Sequence, residues 1–428
     1  MRLSVLSQLP KVSEFPADVF RLENGLTVIH QYIPATPVAV VDVWVRAGAI
    51  REPNEWSGMA HFLEHMIFKG TDQVLPGVFD QIVENRGGVT NAATSHDYAH
   101  FFITTAVPYL ADTLPYLAEL LLNASIPADE FSRERDVVLE EIRQAQDNPD
   151  WLGFQALMES VYECHPYGRP VLGTEMHLLN HSPEEMRSFH SYHYQPENMT
   201  VVIVGGVDRE SALDMVEQSF QQFKAPSVWN QLVPKKIVKP LREIRRQELC
   251  LPRLEQARLM MAWAGPGVEE LGSAYGLDLL SALLGDGRCS RLVKQLREEE
   301  QLVSNVSSSF SLQQESSLFT ISAWLEPQHL QLVEELICSS LASLHSSPMS
   351  EAELKRSKRQ LCNDYAFSTE SPGQLAGLYG YYNTIAEAEI AVTYPQQIQG
   401  FQAPDLQQLA QQYLSPERYA VTILKPND

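Results

Sequence analysis

Between Met59 and Ile67 the apolar positions are Met59, Phe62, Leu63, Met66 and Ile67. Steps of three and four residues predict a helix with one buried face. Upstream, Val38 to Val45 is a valine-rich run that reads as a buried strand, ending in the loop Ala47-Gly48-Ala49. Leu22 to Ile29 sets Asn24-Gly25 between apolar runs, a hairpin signal. A second helix is expected from about Leu75 to Arg86, closed by Gly87-Gly88. Val89 to Ile103 alternates well enough for a strand or hairpin. Its first part, Thr90-Asn91-Ala92-Ala93-Thr94, is too small and polar for a core strand but suits a sheet edge. Such an edge either stays unpaired or pairs with an extended peptide through its main chain. Pro127 to Gln146 reads as a long helix, with proline in its first turn and Asp129 and Glu130 at its positive end.

The later part of the chain repeats an ending. Ser182-Pro183-Glu184 opens a helix, and Tyr194-Gln195-Pro196-Glu197-Asn198 then leads into the strand Met199 to Val204. Ala403-Pro404-Asp405, Tyr413-Leu414-Ser415-Pro416-Glu417 and the strand Tyr419 to Leu424 follow the same order, offset by about 220 residues. A tandem duplication is the reading. It divides the chain into residues 1–224, a proline- and base-rich linker at 225–246, and residues 247–428. Two domains also suit 428 residues, which exceed one ordinary core.

Composition narrows the setting. The hydrophobic fraction, 44%, is that of a globular chain, and no run approaches the roughly 18–20 apolar residues of a membrane span. Met1 to Pro10 lacks the apolar stretch of a secretory signal. Five cysteines, Cys164, Cys250, Cys289, Cys338 and Cys362, are odd in number and form no C-x-x-C pair. Reduced thiols in the cytoplasm are therefore expected, and a cysteine-based metal site is not. Lys and Arg number 32 against 54 Asp and Glu, a net charge of −22, which disfavours nucleic acid and anionic membranes as partners and favours cationic ones.

The chemistry lies on the first helix. His61-x-x-Glu64-His65 sets two imidazoles four residues apart, so both rings can aim at one point about 2 Å beyond each nitrogen. Glu64 stands beside that point, placed to take a proton from a water there. On the long helix Glu134 and Glu141 are seven residues apart and share a face, which Val138 and Ile142 mark as buried or cleft-lining. A carboxylate on such a face needs a cation. His96 and His100 sit at strand spacing away from the motif and read as structural. The duplication supplies a control: aligning Gly70 with Gly285 puts Gly276, Leu279 and Leu280 in the places of His61, Glu64 and His65. Aligning Phe131 with Leu354 puts Ser357 and Asp364 opposite Glu134 and Glu141. The second half keeps the helices without the histidines, so packing does not require them.

Taken together, these stretches resemble the pitrilysin, insulin-degrading enzyme and mitochondrial processing peptidase family. The carriers are His61-Phe62-Leu63-Glu64-His65 within G-M-A-H-F-L-E-H-M-x-F-K-G-T, Asn91-Ala92, E-R-x-V-V-x-E-E-I ending past Glu141, and the loop His165-Pro166-Tyr167-Gly168. The resemblance implies two homologous α+β domains, each a mainly antiparallel sheet backed by helices. It implies a zinc endopeptidase acting on extended or presequence-like peptides, with one Zn2+ held by His61, His65 and Glu141. Glu64 would be the catalytic base, and Glu134 would assist from beside the ligands. Asn91 and Ala92 would pair with substrate. Family members also carry an arginine followed seven residues later by a tyrosine that hold substrate and stabilise the oxyanion. Here Arg297 is kept and Ser304 replaces the tyrosine. In related peptidases those duties are split between unlike subunits, so the chain resembles the zinc-bearing partner of a heterodimer. A self-sufficient homodimeric oligopeptidase and a non-catalytic scaffold subunit are the alternatives.

Overall fold

The computed structural model describes residues 15–223, 237–252 and 254–426. Met1 to Pro10 and residues 225–236 of the expected linker lie outside the described residues. The first half forms a sheet of β1 (Asp18–Arg21), β2 (Thr27–Tyr32), β3 (Val38–Val45), β4 (Val89–Thr94), β5 (Ala99–Ala106) and β6 (Met199–Gly205), in the order β1-β2-β6-β3-β5-β4. The second is built from β7 (Arg245–Leu251), β8 (Ala257–Pro266), β9 (Val303–Leu312), β10 (Ser316–Leu325) and β11 (Ala420–Pro426), ordered β7-β11-β8-β10-β9. From β2 and β7 onward the two orders correspond strand for strand, as a duplication requires. Both sheets are mixed: β2–β6 and β7–β11 are parallel, and the remaining pairs are antiparallel.

The helices of the first half are α1 (Met59–Ile67), α2 (Val78–Asn85), α3 (Leu110–Asn123), α4 (Ala128–Gln146), α5 (Pro149–Tyr162), α6 (Glu175–Asn180), α7 (Pro183–His193) and α8 (Arg209–Ser219). Those of the second are α9 (Leu271–Gly285), α10 (Leu330–Ser346), α11 (Glu351–Phe367), α12 (Pro372–Ile385), α13 (Ile390–Gly400) and α14 (Ala403–Tyr413). Among the described residues no helix is long and apolar enough to cross a membrane.

The central strands explain an arrangement the sequence does not announce. In β6 every residue is buried, and in β3 every residue after Val38, so these strands need cover on both faces. Helices of the same half cover one face of the first sheet, where Phe62, Leu117 and Val216 pack with Val41, Val43 and Ile203. The other face is covered by α12, a helix of the second half, through Ala376, Tyr379 and Tyr382 against Ile29, Val40, Trp44, Val202 and Val204. Gly380 makes the approach possible, because a Cβ there would lie 2.1 Å from Trp44 Nε1. Arg46 fixes the end of α12 by donating to the carbonyls of Asn383 (2.6 Å) and Thr384 (3.0 Å). The exchange is reciprocal. Helix α5 of the first half lies on the second sheet, with Leu157, Met158 and Val161 against Met260, Ala262, Leu318 and Ala420.

A buried polar cluster joins the halves beside β4. Tyr167, of the His165-to-Gly168 loop, donates its hydroxyl to Asp97 Oδ1 (2.8 Å) and accepts from the Glu315 N–H (3.0 Å). Asp97 Oδ2 accepts from the Gln314 N–H (3.0 Å), and His165 Nε2 lies 3.0 Å from Glu315 Oε2. Asp97 sits in the β4–β5 turn, and Gln314 and Glu315 sit in the β9–β10 turn. Tyr167→Phe strands a buried carboxylate oxygen and a part-buried N–H, at a cost of about 1–3 kcal/mol. Urea denaturation followed by circular dichroism should show a lower midpoint, and an unchanged midpoint would exclude this clamp as a source of stability.

Candidate metal centre

Helix α1 starts without a side-chain N-cap, since Gly58 precedes it in the left-handed region at φ +90°. A carboxylate from the preceding loop does that work. Glu52 is 1% exposed and accepts from the N–H groups of Gly58 (3.0 Å) and Ala60 (2.8 Å), satisfying donors that a helix start leaves open. Burial pushes Glu52 up to about 7, against the opposing effects of Arg169 and the two N–H donors. The buried face of α1 holds Met59, Phe62, Leu63, Met66 and Ile67, which leaves His61, Glu64 and His65 half-exposed on the other side. Helix α4 packs alongside with Phe131 against Phe62, ring centroids 4.6 Å apart, and with Val138 and Ile142 buried.

That packing brings three donor atoms together. Glu141 Oε2 lies 3.6 Å from His61 Nε2 and 3.5 Å from His65 Nε2, and a set of ligand atoms from these residues falls within 4.8 Å of one another. Atoms each about 2.1 Å from a tetrahedral centre are about 3.4 Å apart, so both carboxylate–imidazole spacings suit a zinc ion. Burial, with the neighbouring His65, lowers His61 to about 3, which keeps the imidazole in its neutral, ligating form. Its Nδ1 is buried without a hydrogen-bond partner among the described residues. His65 differs: its Nδ1 is 2.9 Å from Glu134 Oε1, leaving Nε2 to face Glu141. Glu134 is 8% exposed, and its second oxygen meets Lys69 Nζ at 2.6 Å. Two neutral imidazoles and a carboxylate, with the ring orientation of His65 set from behind, are a donor set suited to zinc.

Glu64 lies beside this cluster and is held above the usual carboxylate range, mainly by burial and further by Glu141. A hydrogen bond from Thr94, with His65 and His100, pulls the other way. Thr94 Oγ1 donates to Glu64 Oε2 at 2.5 Å. Thr94 ends β4, which bonds only to β5 among the described strands, so β4 is a free sheet edge next to α1. On that edge the Ala92 N–H is taken by the side chain of its own neighbour, Asn91 (2.9 Å).

The remaining candidates lie elsewhere. His96 Nε2 faces the carbonyl of Arg169 (3.1 Å), and His100 Nδ1 faces Asp42 (3.0 Å); neither joins the cluster. Arg297 lies in a π-helical turn, Val293–Glu299, with its guanidinium on Glu298 at 2.9 and 2.6 Å. Ser304 Oγ is 2.8 Å from Gln256 Oε1 and 3.1 Å from the Trp324 carbonyl, both within the second half. In that half α9 is buried nearly all round, and a Cβ on Gly276 would meet Leu409 at 2.1 Å. Sequence reasoning missed Lys69, Glu52 and Thr94. Only Lys69 left a local signal, one helical turn beyond His65; the other two come from separate segments.

Comparisons with known proteins find relatives along nearly the whole chain. Residues 27–175 match the family model of insulinase (peptidase family M16), and residues 180–361 match that of the peptidase M16 inactive domain. The zinc protease PqqE of Helicobacter pylori is 30% identical over 413 residues, covering 95% of this chain and 92% of its own. The crystal structure of a protease from Helicobacter pylori superposes with a TM-score of 0.89 at 28% identity, covering 98% of this chain and 100% of that one. The periplasmic protease PqqL of Escherichia coli shares the fold at a TM-score of 0.81 and 18% identity, covering 98% of this chain and 48% of PqqL. This last match corrects the cytoplasmic expectation, because the same fold serves in the periplasm. Unpaired cysteines show only that no two were placed to bridge, and cores of this size hold without disulfides.

Lys69→Met removes the cation that holds Glu134 while leaving every candidate ligand in place. Zinc affinity, measured by competition with a chelator, should fall about 10-fold or more. Unchanged affinity would show that Lys69 does not act on the site.

Proposed function

The chain belongs to the insulinase family of zinc peptidases, peptidase family M16, and from that premise we propose that it cleaves extended peptides at a zinc held by His61, His65 and Glu141, with Glu64 as base. The observation that carries this reading is the convergence of His61, His65 and Glu141 within ligating distance, with Glu64 beside them and a free sheet edge alongside. His61, His65 and Glu141 would hold the zinc, which would supply a Lewis acid able to bring a water's ionisation near neutral pH and polarise the peptide carbonyl.

The protein's own groups do the rest. Glu64, whose proton affinity is raised by burial, takes the proton of the attacking water and passes it to the leaving amine. Glu134 keeps His65 in one tautomer and is itself held by Lys69. The edge of β4 orients the substrate: a peptide carbonyl displaces the Asn91 side chain from the Ala92 N–H, and the chain runs on as an added strand. Glu64→Gln should keep the metal and lose nearly all turnover, whereas His61→Ala should lose metal as well. Elemental analysis showing full zinc in His61→Ala would overturn the assignment.

The catalytic unit in this reading is a heterodimer. Ser304 replaces the tyrosine of the resemblance and is engaged inside its own half, and Arg297 is neutralised by Glu298. The PqqL chain is about twice as long as the part this chain matches, so in that protein further chain accompanies the same two-domain unit. An unlike subunit with the arginine and tyrosine would supply the missing oxyanion donor, whose loss commonly costs about 10²–10³ in rate. Turnover of an extended, arginine-containing peptide should be weak for this chain alone and rise with such a partner. Full activity alone, unaltered by a partner or by Ser304→Tyr, would rule the heterodimer out.

A further inference from the structure

We propose that Thr94 is a positioning residue for the base: its hydroxyl fixes the Glu64 carboxylate toward the metal ligands and ties it to the strand along which substrate lies. The proposal rests on the reading of Glu64 as base. Glutamate has three rotatable side-chain bonds, so a half-exposed carboxylate without an anchor spreads over several rotamers. Threonine is stiff at χ1, and at the end of a strand its hydroxyl has a definite direction.

Strand geometry aims that hydroxyl at α1. Along β4, Val89, Asn91 and Ala93 are exposed, while Thr90, Ala92 and Thr94 are half-buried on the opposite face. Thr94 pairs with Ala99, which is buried, so register holds it on the α1 side; a slip of one residue would turn it away. The turn that follows is secured from three directions. The Ser95 N–H bonds to the Tyr98 carbonyl (2.8 Å), and the Ala49 and Ile50 N–H groups bond to the carbonyls of Ser95 (3.1 Å) and His96 (2.8 Å). Asp97 is gripped by Tyr167 and by the second half's Gln314. The Thr94 hydroxyl therefore stands on a fixed support, and its 2.5 Å bond carries that order to Glu64. Asn91 and Ala92 lie on the same strand, so base and substrate are referred to one rigid element.

Three variants and three measurements test this. Thr94→Val keeps shape and strand preference without the hydroxyl, Thr94→Ala guards against misfolding by the valine, and Thr94→Ser restores the donor. Kinetics on an extended peptide should show kcat reduced about 10- to 100-fold in the valine and alanine variants, with KM close to wild type and recovery in the serine variant. Zinc affinity by chelator competition should be unchanged. Binding of the intact peptide, followed by fluorescence anisotropy in a Glu64→Gln background, should also be unaffected by Thr94→Val. Normal kcat in both the valine and alanine variants overturns the proposal, as does a loss of kcat matched by equal loss of zinc or peptide binding. If Glu64→Gln itself proved active, the reading of the base would fall; an inactive Glu64→Gln beside a fully active Thr94→Val would sink only the role of Thr94.

Discussion

The contact between α1 and α4 decides whether this chain has a metal centre at all. Zinc bonds to nitrogen and oxygen are about 2.0–2.2 Å long, so ligands from two helices are useful only if the helices are held to within a fraction of an ångström. The Phe62–Phe131 contact and the buried Val138 and Ile142 set that separation. Helix α1 is then steadied further. Glu52 completes the start of α1 in place of a local cap, and Lys69 and Glu134 hold His65 from behind. The candidate ligands are half-exposed, but most of what orients them is buried.

A second constraint comes from strands that are apolar on both faces. Each sheet needs a second layer, and each half obtains it from the other through α12 and α5. The exchange turns two duplicated halves into one packed body. It also sets the β9–β10 turn of the second half against the β4–β5 turn of the first, where Tyr167 and Asp97 close the seam. The second half thus supports the strand that ends at Thr94, beside Glu64.

The duplication shows what became of the unused copy. In α1 the face opposite the core carries His61, Glu64 and His65 and stays partly open. In α9 the corresponding surface is Gly276, Leu279 and Leu280, closed over by α11, α13 and α14. Hydrophobic cover stands there where the first half carries its polar cluster. That matches the description of the second region as an inactive domain.

The sequence by itself determined what depends on short separations. The spacing of His61 and His65, the helical phase shared by Glu134 and Glu141, the polar edge from Val89 to Thr94 and the repeated ending could all be read directly, because helix and strand periods fix which neighbours share a face. The expectation of Glu141 as third ligand already needed a resemblance, since no period links residues on different helices. Tertiary structure alone decided the remainder. Thr94 reaches Glu64 across 30 residues, Glu134 reaches His65 across 69, and Tyr379 of α12 reaches Gln31 of the first sheet across 348. Tyr167, legible only as part of a loop motif, is a clamp because a turn 148 residues later arrives beside it. Such contacts follow from how apolar faces pair off in three dimensions, and local pattern carries no record of which face meets which.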